Sequence, residues 1–216
     1  MGLGLPVNTG GGDFKRIIKY DARAGRVHRS DRVENNGTFD NVLTEITNGF
    51  QAVFDLKNIE VGYAMFAKSV APQWAMVKIG QTLPQKPSKD FKQAFRLDVK
   101  LAKSLGGDVR EFGSAAGCVI AAMDQLYDAY TRAPESAAGK LPVVAIVSTT
   151  MVKSGESTNY APNFQIVAWV DRPQELPLNP VSPATMQAPM TASTPNVPAP
   201  VVAPQPAQTP NVMTEF

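Results

Sequence analysis

Eleven of the chain's eighteen prolines fall in its last forty-four residues, Pro173 to Phe216, a stretch with no Lys or Arg and only two acids, Glu175 and Glu215. Each proline removes a backbone donor and fixes φ. So few large apolar residues remain there that burial cannot offset the entropy of ordering, and the composition predicts an extended, solvated tail. The folded body is thereby confined to residues 13–172, behind a glycine-rich leader at residues 1–12. A body of about 160 residues closes one core, not two.

The single cysteine, Cys118, allows no internal disulfide, and its Ala- and Val-rich surroundings predict a small buried thiol in a reducing, cytoplasmic compartment. Met1 to Pro6 lacks the basic start and apolar run of a signal peptide. No apolar run approaches the roughly eighteen residues that a membrane span requires.

The formal charge of +2 hides a local excess. Between Asp13 and Arg32 lie seven basic residues, Lys15, Arg16, Lys19, Arg23, Arg26, Arg29 and Arg32, against three acids. Charges are screened beyond about 10 Å at 0.1 M salt, so a local cluster matters more to a phosphate chain than the net charge does. Phe14–Tyr20 and Arg26–Val33, joined by the turn chemistry of Asp21-Ala22-Arg23-Ala24-Gly25, read as a basic hairpin. The other reading is a solvated hairpin with ordinary surface arginines.

Residues 37–50 show no clean period. Phe50 to Phe66 reads as a strand pair or one bent strand, with Asn58 and Gly62 as bulge points. Pro84 and Pro87 mark a loop. Behind them Phe91, Phe95, Leu97, Val99 and Leu101 alternate with Lys92, Ala94, Arg96, Asp98 and Lys100, which predicts a strand with an apolar row inward and a mostly basic row outward. Ser114 to Arg132 reads as a helix: Val119, Met123, Leu126, Tyr127 and Tyr130 form one stripe, Ser114 is the expected N-cap, and Pro134 the stop. Val143–Val152 and Phe164–Val170 read as strands, with a loop over residues 153–159.

This order of elements predicts a mainly β fold with one main helix: a five-stranded antiparallel barrel of the oligonucleotide-binding kind, with elaborations. A different α+β sandwich is the alternative.

Catalytic signatures are missing. His28 is the only histidine and Cys118 the only cysteine, so neither structural zinc nor a Ser-His-Asp arrangement on a Gly-x-Ser-x-Gly elbow can be built. Thr9-Gly10-Gly11-Gly12-Asp13 and Gly139-Lys140 lack the spacing and hydroxyl of a phosphate loop. Asp124 and Asp128 read as a solvated helix face. The reading is therefore a non-enzymatic protein without cofactor or metal.

What stands out is basic and aromatic residues interleaved on expected strands: Lys15, Arg16, Lys19 and Tyr20; Tyr63, Phe66 and Lys68; Trp74 and Lys78; Lys92, Arg96 and Lys100; Trp169 and Arg172. Cations track the phosphates of a single strand while flat rings stack on its bases, at about 1–3 kcal/mol each. With Arg23 and Arg26, these residues other than Lys68 form the expected DNA-binding set, and single-stranded DNA the expected partner.

Three stretches carry a resemblance: Pro87-Ser88 leading into Phe91-Lys92-Gln93-Ala94-Phe95-Arg96; Gly139-Lys140-Leu141-Pro142-Val143-Val144; and Pro162 through Pro173. Together they resemble phage-encoded single-stranded DNA-binding proteins of the oligonucleotide-binding-fold type, over about residues 13–173. The resemblance implies a protein that coats exposed strands during replication, recombination or repair in the host cytoplasm. It also implies a tail whose end docks on replication or recombination partners. Thr214-Glu215-Phe216 keeps the terminal aromatic of such tails with a single acid, so Glu215 and Phe216 are the expected partner contacts. Two other classes stay open: an adaptor acting through its proline-rich tail, and a metal-dependent nuclease. Neither oligomeric state nor DNA-versus-RNA preference follows from the residues.

Overall fold

The alternation of Phe95, Leu97, Val99 and Leu101 sets the centre of the molecule. In the computed structural model, which describes residues 16–66 and 72–178, these side chains are buried on strand β7 (Lys92–Leu101). Before it come β1 (Ile17–Asp21), β2 (Arg26–Asn35), β3 (Thr38–Glu45), β4 (Gln51–Phe54), β5 (Glu60–Met65) and β6 (Gln73–Lys78). After it come β8 (Val109–Ser114), helix α1 (Gly117–Arg132), a single turn α2 (Pro134–Ala137), β9 (Leu141–Ser154) and β10 (Ser157–Val170). The fold is mainly β with one main helix.

The strands form one mixed sheet in the order β10-β9-β4-β7-β8-β1-β2-β3, with β5 and β6 extending it beside β7. Every pairing is antiparallel except that of β1 with β8, where Ile17 lies opposite Glu111 and Ile18 opposite Phe112. No ladder joins the outermost strands β10 and β3, so strand pairing does not close the sheet. The sheet thus has more strands than the five expected and one parallel pair, because the arginine-rich N-terminal segment adds β1, β2 and β3 at one side.

Phe50 to Phe66 is a bent strand. β4 and β5 pair with the two halves of β7, and a 3-10 turn at Leu56–Asn58 breaks the ladder between them. Phe54 beneath the bend meets Phe112 and Phe164 edge-on, each with ring centroids 5.9 Å away. The stripe of α1, Val119, Met123, Leu126 and Tyr130, closes the core from the other side. Complete burial stabilises by about 1.5–3 kcal/mol for each large apolar side chain, so this cluster is where the fold is held.

Four expectations change. The helix begins at Gly117 behind Ala116, not at Ser114, because Ser114 still pairs with Phe95 in the β7–β8 ladder; its hydroxyl accepts from the Ala116 amide at 3.1 Å. The loop expected over residues 153–159 shrinks to Gly155–Glu156, since Ser154 pairs with Ser157 and Gly155 supplies the positive φ of 58°. Ala94, assigned to the outward row, is buried. Finally, the stretch Pro173 to Leu178 packs on the body instead of starting the solvated tail: Leu176 is 1 % exposed and its carbonyl accepts from Arg172 at 2.8 Å. The remainder of the tail and the leader lie outside the described residues.

Candidate nucleic-acid interface

Residues directly opposite one another in a sheet share a face, so register alone assembles the outer surface. Lys78 pairs with Glu60, Glu60 with Arg96, and Arg96 with Gly113. Ile18 beside Phe112 puts Lys19 beside Gly113; Lys19 then faces His28, and His28 faces Glu45. One line of side chains therefore crosses seven strands, and it carries a charge or an imidazole everywhere except at Gly113.

Trp74 fills that gap. It belongs to the same face two rows away, where it pairs with Ala64 and Ala64 with Lys92. A Cβ placed on Gly113 would sit 3.2 Å from the far edge of the indole, 3.2 Å from the Arg96 Cβ and 3.0 Å from the Phe95 carbonyl oxygen, so a side chain there would crowd the ring. The row between holds Met76, Gly62 and Ala94, and the small Ala64 stands beside Trp74 in its own row; at Gly62 a Cβ would come within 2.1 Å of the Ala75 carbonyl oxygen. Phe66 meets Trp74 edge-on at 5.4 Å, and the Arg96 guanidinium carbon lies 5.6 Å from the indole centroid. Phe66 is 55 % exposed and Trp74 half-buried. A cation near the face of an indole is attracted by about 0.5–1 kcal/mol at exposed sites, which orients both groups without hiding them.

The cations sort into two kinds. Lys19, Arg23 and Lys92 are exposed, and among the described residues no carboxylate lies within ion-pair distance of them. The other described arginines of the expected set, and Lys100, are engaged. Arg16 binds Asp108 at 2.9 Å, Arg26 binds Glu45 at 2.7 Å, and Lys100 binds Glu175 at 2.5 Å. Hydrogen bonds from Arg26 and Thr47 hold the Glu45 carboxyl below its usual range, and the bond from Lys100 does the same for Glu175. Arg96 donates to Glu60 at 2.5 Å, with Glu111 at 3.9 Å, while its guanidinium carbon stays over the Trp74 ring. Lys78 is half-buried on that face.

Three expected contacts belong to the scaffold. Arg172 makes two 2.8 Å bonds to the buried carboxylate of Asp55 and ties the chain after β10 to the bend after β4. Trp169 stacks on Tyr130 of α1 at 6.0 Å and 25°. Tyr20 donates its hydroxyl to the Tyr160 carbonyl at 2.9 Å, and burial, with the nearby charges of Cys118 and Asp21, pushes the phenol up to about 12. Tyr63 is half-buried and alternates to the face opposite Trp74. Lys15, Lys68, Glu215 and Phe216 lie outside the described residues. Of the expected set, the structure brings together Phe66, Trp74, Lys78, Lys92, Arg96 and Lys19.

The basic hairpin has its own carboxylates. Arg110, 2 % exposed on β8, binds Asp31 at 2.6 Å, Asp108 at 2.9 Å and the Ser30 carbonyl at 2.9 Å, while Arg29 binds Asp31 at 2.8 Å. Burial by itself raises Asp31 and Asp108, but the hydrogen bonds from Arg110, helped by Arg29 and Arg16 respectively, outweigh it and hold both carboxyls below the usual range. Sequence reasoning missed Arg110 and Gly113. Gly113 sits among strand-forming residues, a signal for close approach of another group, but β8 itself was not expected.

No protein family, curated protein or solved structure matches this chain. Among the described residues no helix is long and apolar enough to cross a membrane, and no group of three His, Cys, Asp or Glu is placed to hold a metal.

Proposed function

We propose that this chain binds single-stranded DNA without sequence preference, on the outer face of β7 and β8. The observation that carries the reading is Trp74, set edge-on to exposed Phe66 and beside Arg96, with Lys19 and Lys92 on the same face. An indole and a phenyl ring offer stacking surfaces to unpaired bases, and the lysines offer counter-charges to a backbone passing over them. Duplex recognition finds less support: reading the major groove commonly uses a helix with exposed cations, and α1 carries only Arg132, already bound to Asp128.

Connectivity supports an oligonucleotide-binding barrel in elaborated form. β4 with β5 serves as its first strand, β7 and β8 as its second and third, α1 follows, and β9 and β10 complete it. The first strand pairs with both β7 and β9, which curls the sheet. β1 then lies inserted beside β8, and the Tyr160 amide of β10 donates to the Ala22 carbonyl of the β1–β2 turn at 2.6 Å, across the seam. In such barrels the second and third strands carry the ligand face, which is where Arg96 lies and where the Trp74 ring reaches from β6 to Gly113. Strand coating in replication, recombination or repair is the role this chemistry serves, with Glu215 and Phe216 as the partner-docking end and no catalytic step.

Titration with a homopyrimidine oligonucleotide tests the reading, in a Trp169→Phe variant whose emission comes from Trp74 alone. Single strands should quench it and duplex of equal length should not. Trp74→Ala should weaken binding by about 1–3 kcal/mol. Equal affinity for duplex, or an unchanged affinity in a folded Trp74→Ala protein, rejects the site.

A further inference from the structure

The distal half of the β2–β3 ribbon is unlike the rest of the sheet. Among the described residues, positions 31–35 of β2 pair only with β3, and β3 is exposed along all eight of its residues. Val33, Phe39, Val42 and Leu43 are 45–55 % exposed there, on both faces of the ribbon. Asn36 and Gly37 at the tip have φ of 49° and 78°, the pair of positive values that a tight two-residue hairpin needs, and the ladder behind them runs without a bulge. Edge strands are normally guarded by Lys, Pro, a bulge or a covering element. β3, Thr38-Phe39-Asp40-Asn41-Val42-Leu43-Thr44-Glu45, has neither Lys nor Pro, and Glu45 at its end is already bound to Arg26.

We infer that β3 pairs antiparallel with β3 of a second copy about a two-fold axis at Asn41, joining two sheets edge to edge. A two-fold axis perpendicular to the sheet keeps outer faces together, so opposed residues must have the same parity and the axis must pass through a residue. At Asn41, Phe39 lies opposite Leu43 of the second copy, Leu43 opposite its Phe39, Thr38 opposite its Thr44, and Asp40 opposite its Val42. The two exposed outer apolar residues then face each other, a pair that the two-fold axis repeats, with no like charges opposed. An axis at Asp40 sets carboxylate against carboxylate, which is unfavourable. At Val42, Phe39 faces Glu45 and Leu43 faces Asn41; at Phe39, Leu43 falls beyond the hairpin tip. The contact is isologous and closes at two copies, and main-chain hydrogen bonds along the free edge supply affinity as in strand addition.

The inference uses no nucleic-acid contact, so its test is run without oligonucleotide. Sedimentation of the intact chain should show a concentration-dependent dimer, and Phe39→Lys with Leu43→Lys should sediment as a monomer with the same circular dichroism. Opposed residues of an antiparallel pair have Cα atoms about 4.5–5.5 Å apart, within the roughly 4.4–6.8 Å that a disulfide spans. In a Cys118→Ser background, Asn41→Cys should therefore form a disulfide dimer under mild oxidation. Asp40→Cys should not. Thr38→Cys should cross-link when mixed with Thr44→Cys. A wild-type chain that stays monomeric at every concentration, or cross-linking at position 40 in place of 41, overturns the proposal.

Discussion

Two regions of this molecule are rich in cations, and they differ in what stands beside those cations. The segment from Arg16 to Arg32 carries six Lys and Arg, yet Arg16, Arg26 and Arg29 are bound to carboxylates, and Arg32 lies 4.0 Å over the Phe39 ring, which leaves Lys19 and Arg23. The outer face of β5, β6 and β7 holds fewer cations, but they stand beside Trp74 and Phe66, and Lys92 is exposed. Charge density along the chain is therefore a poor guide to a phosphate site. An arginine already neutralised by a fixed carboxylate must exchange that partner for a phosphate, and the gain is the difference between two similar interactions. Lys19 belongs to both regions: it arises in the hairpin and points to the outer face beside Gly113.

The sharpest way to break this division is to remove an engaged cation. Arg172→Ala strips two hydrogen bonds from Asp55, which is 3 % exposed and, among the described residues, keeps only Asn58 Nδ2 at 2.7 Å. Leaving a buried carboxylate without its cation costs about 3–5 kcal/mol. The urea midpoint should fall accordingly, while oligonucleotide affinity, measured where the variant is folded, stays the same. If stability holds and affinity drops, Arg172 belongs to the interface and the division fails.

A smaller effect separates the two kinds of cation directly. Affinity for a single strand falls with salt by roughly 0.7 log units per phosphate neutralised for each tenfold rise in salt. Lys19→Ala and Lys92→Ala should each flatten that slope by about 0.7, and Arg26→Ala should leave it alone. Equal flattening by all three would mean that the Arg26–Glu45 pair opens for DNA.

The ease of reading this chain followed the distance over which its residues find partners. β7 was legible because Phe95, Leu97, Val99 and Leu101 alternate within one strand, and the α1 stripe because Val119, Met123, Leu126 and Tyr130 recur within one helix. β8 was not, because the buried residue between Val109 and Glu111 is an arginine, and of the two acids that make its burial tolerable, Asp108 and Asp31, the second comes from 79 residues away. The same gap misled the site. Arg96 finds Glu60 across 36 positions, Lys100 finds Glu175 across 75, and Arg172 finds Asp55 across 117. Trp74 could be named as a stacking candidate from its type and neighbours, but its bed at Gly113 required the β7–β8 register. Trp169 has the same composition around it and stacks on α1 instead.

The seam between the β1–β2 turn and β10 offers the mildest test, because it holds by few bonds. Gly25, at φ +67°, approaches β10 so closely that a Cβ built on it would lie 3.0 Å from the Tyr160 Cβ, and Tyr20 donates across the same gap. Burial keeps the Tyr20 phenol protonated up to about 12, whereas in the unfolded chain it ionises from its ordinary value of 10.0. Between these values the unfolded state has lost a proton that the folded state retains, so stability must decline as pH rises through that window. Tyr20→Phe cannot ionise. At neutral pH it should cost about 1 kcal/mol through the lost hydrogen bond, and in unfolding midpoints followed from pH 10 to 12 its decline should be shallower than that of the wild type. Tyr127, also raised by burial, keeps some of the slope in both proteins. Parallel declines in the two proteins would show that the Tyr20 hydroxyl is open to water, and that the turn does not seal β10 to the inserted strand.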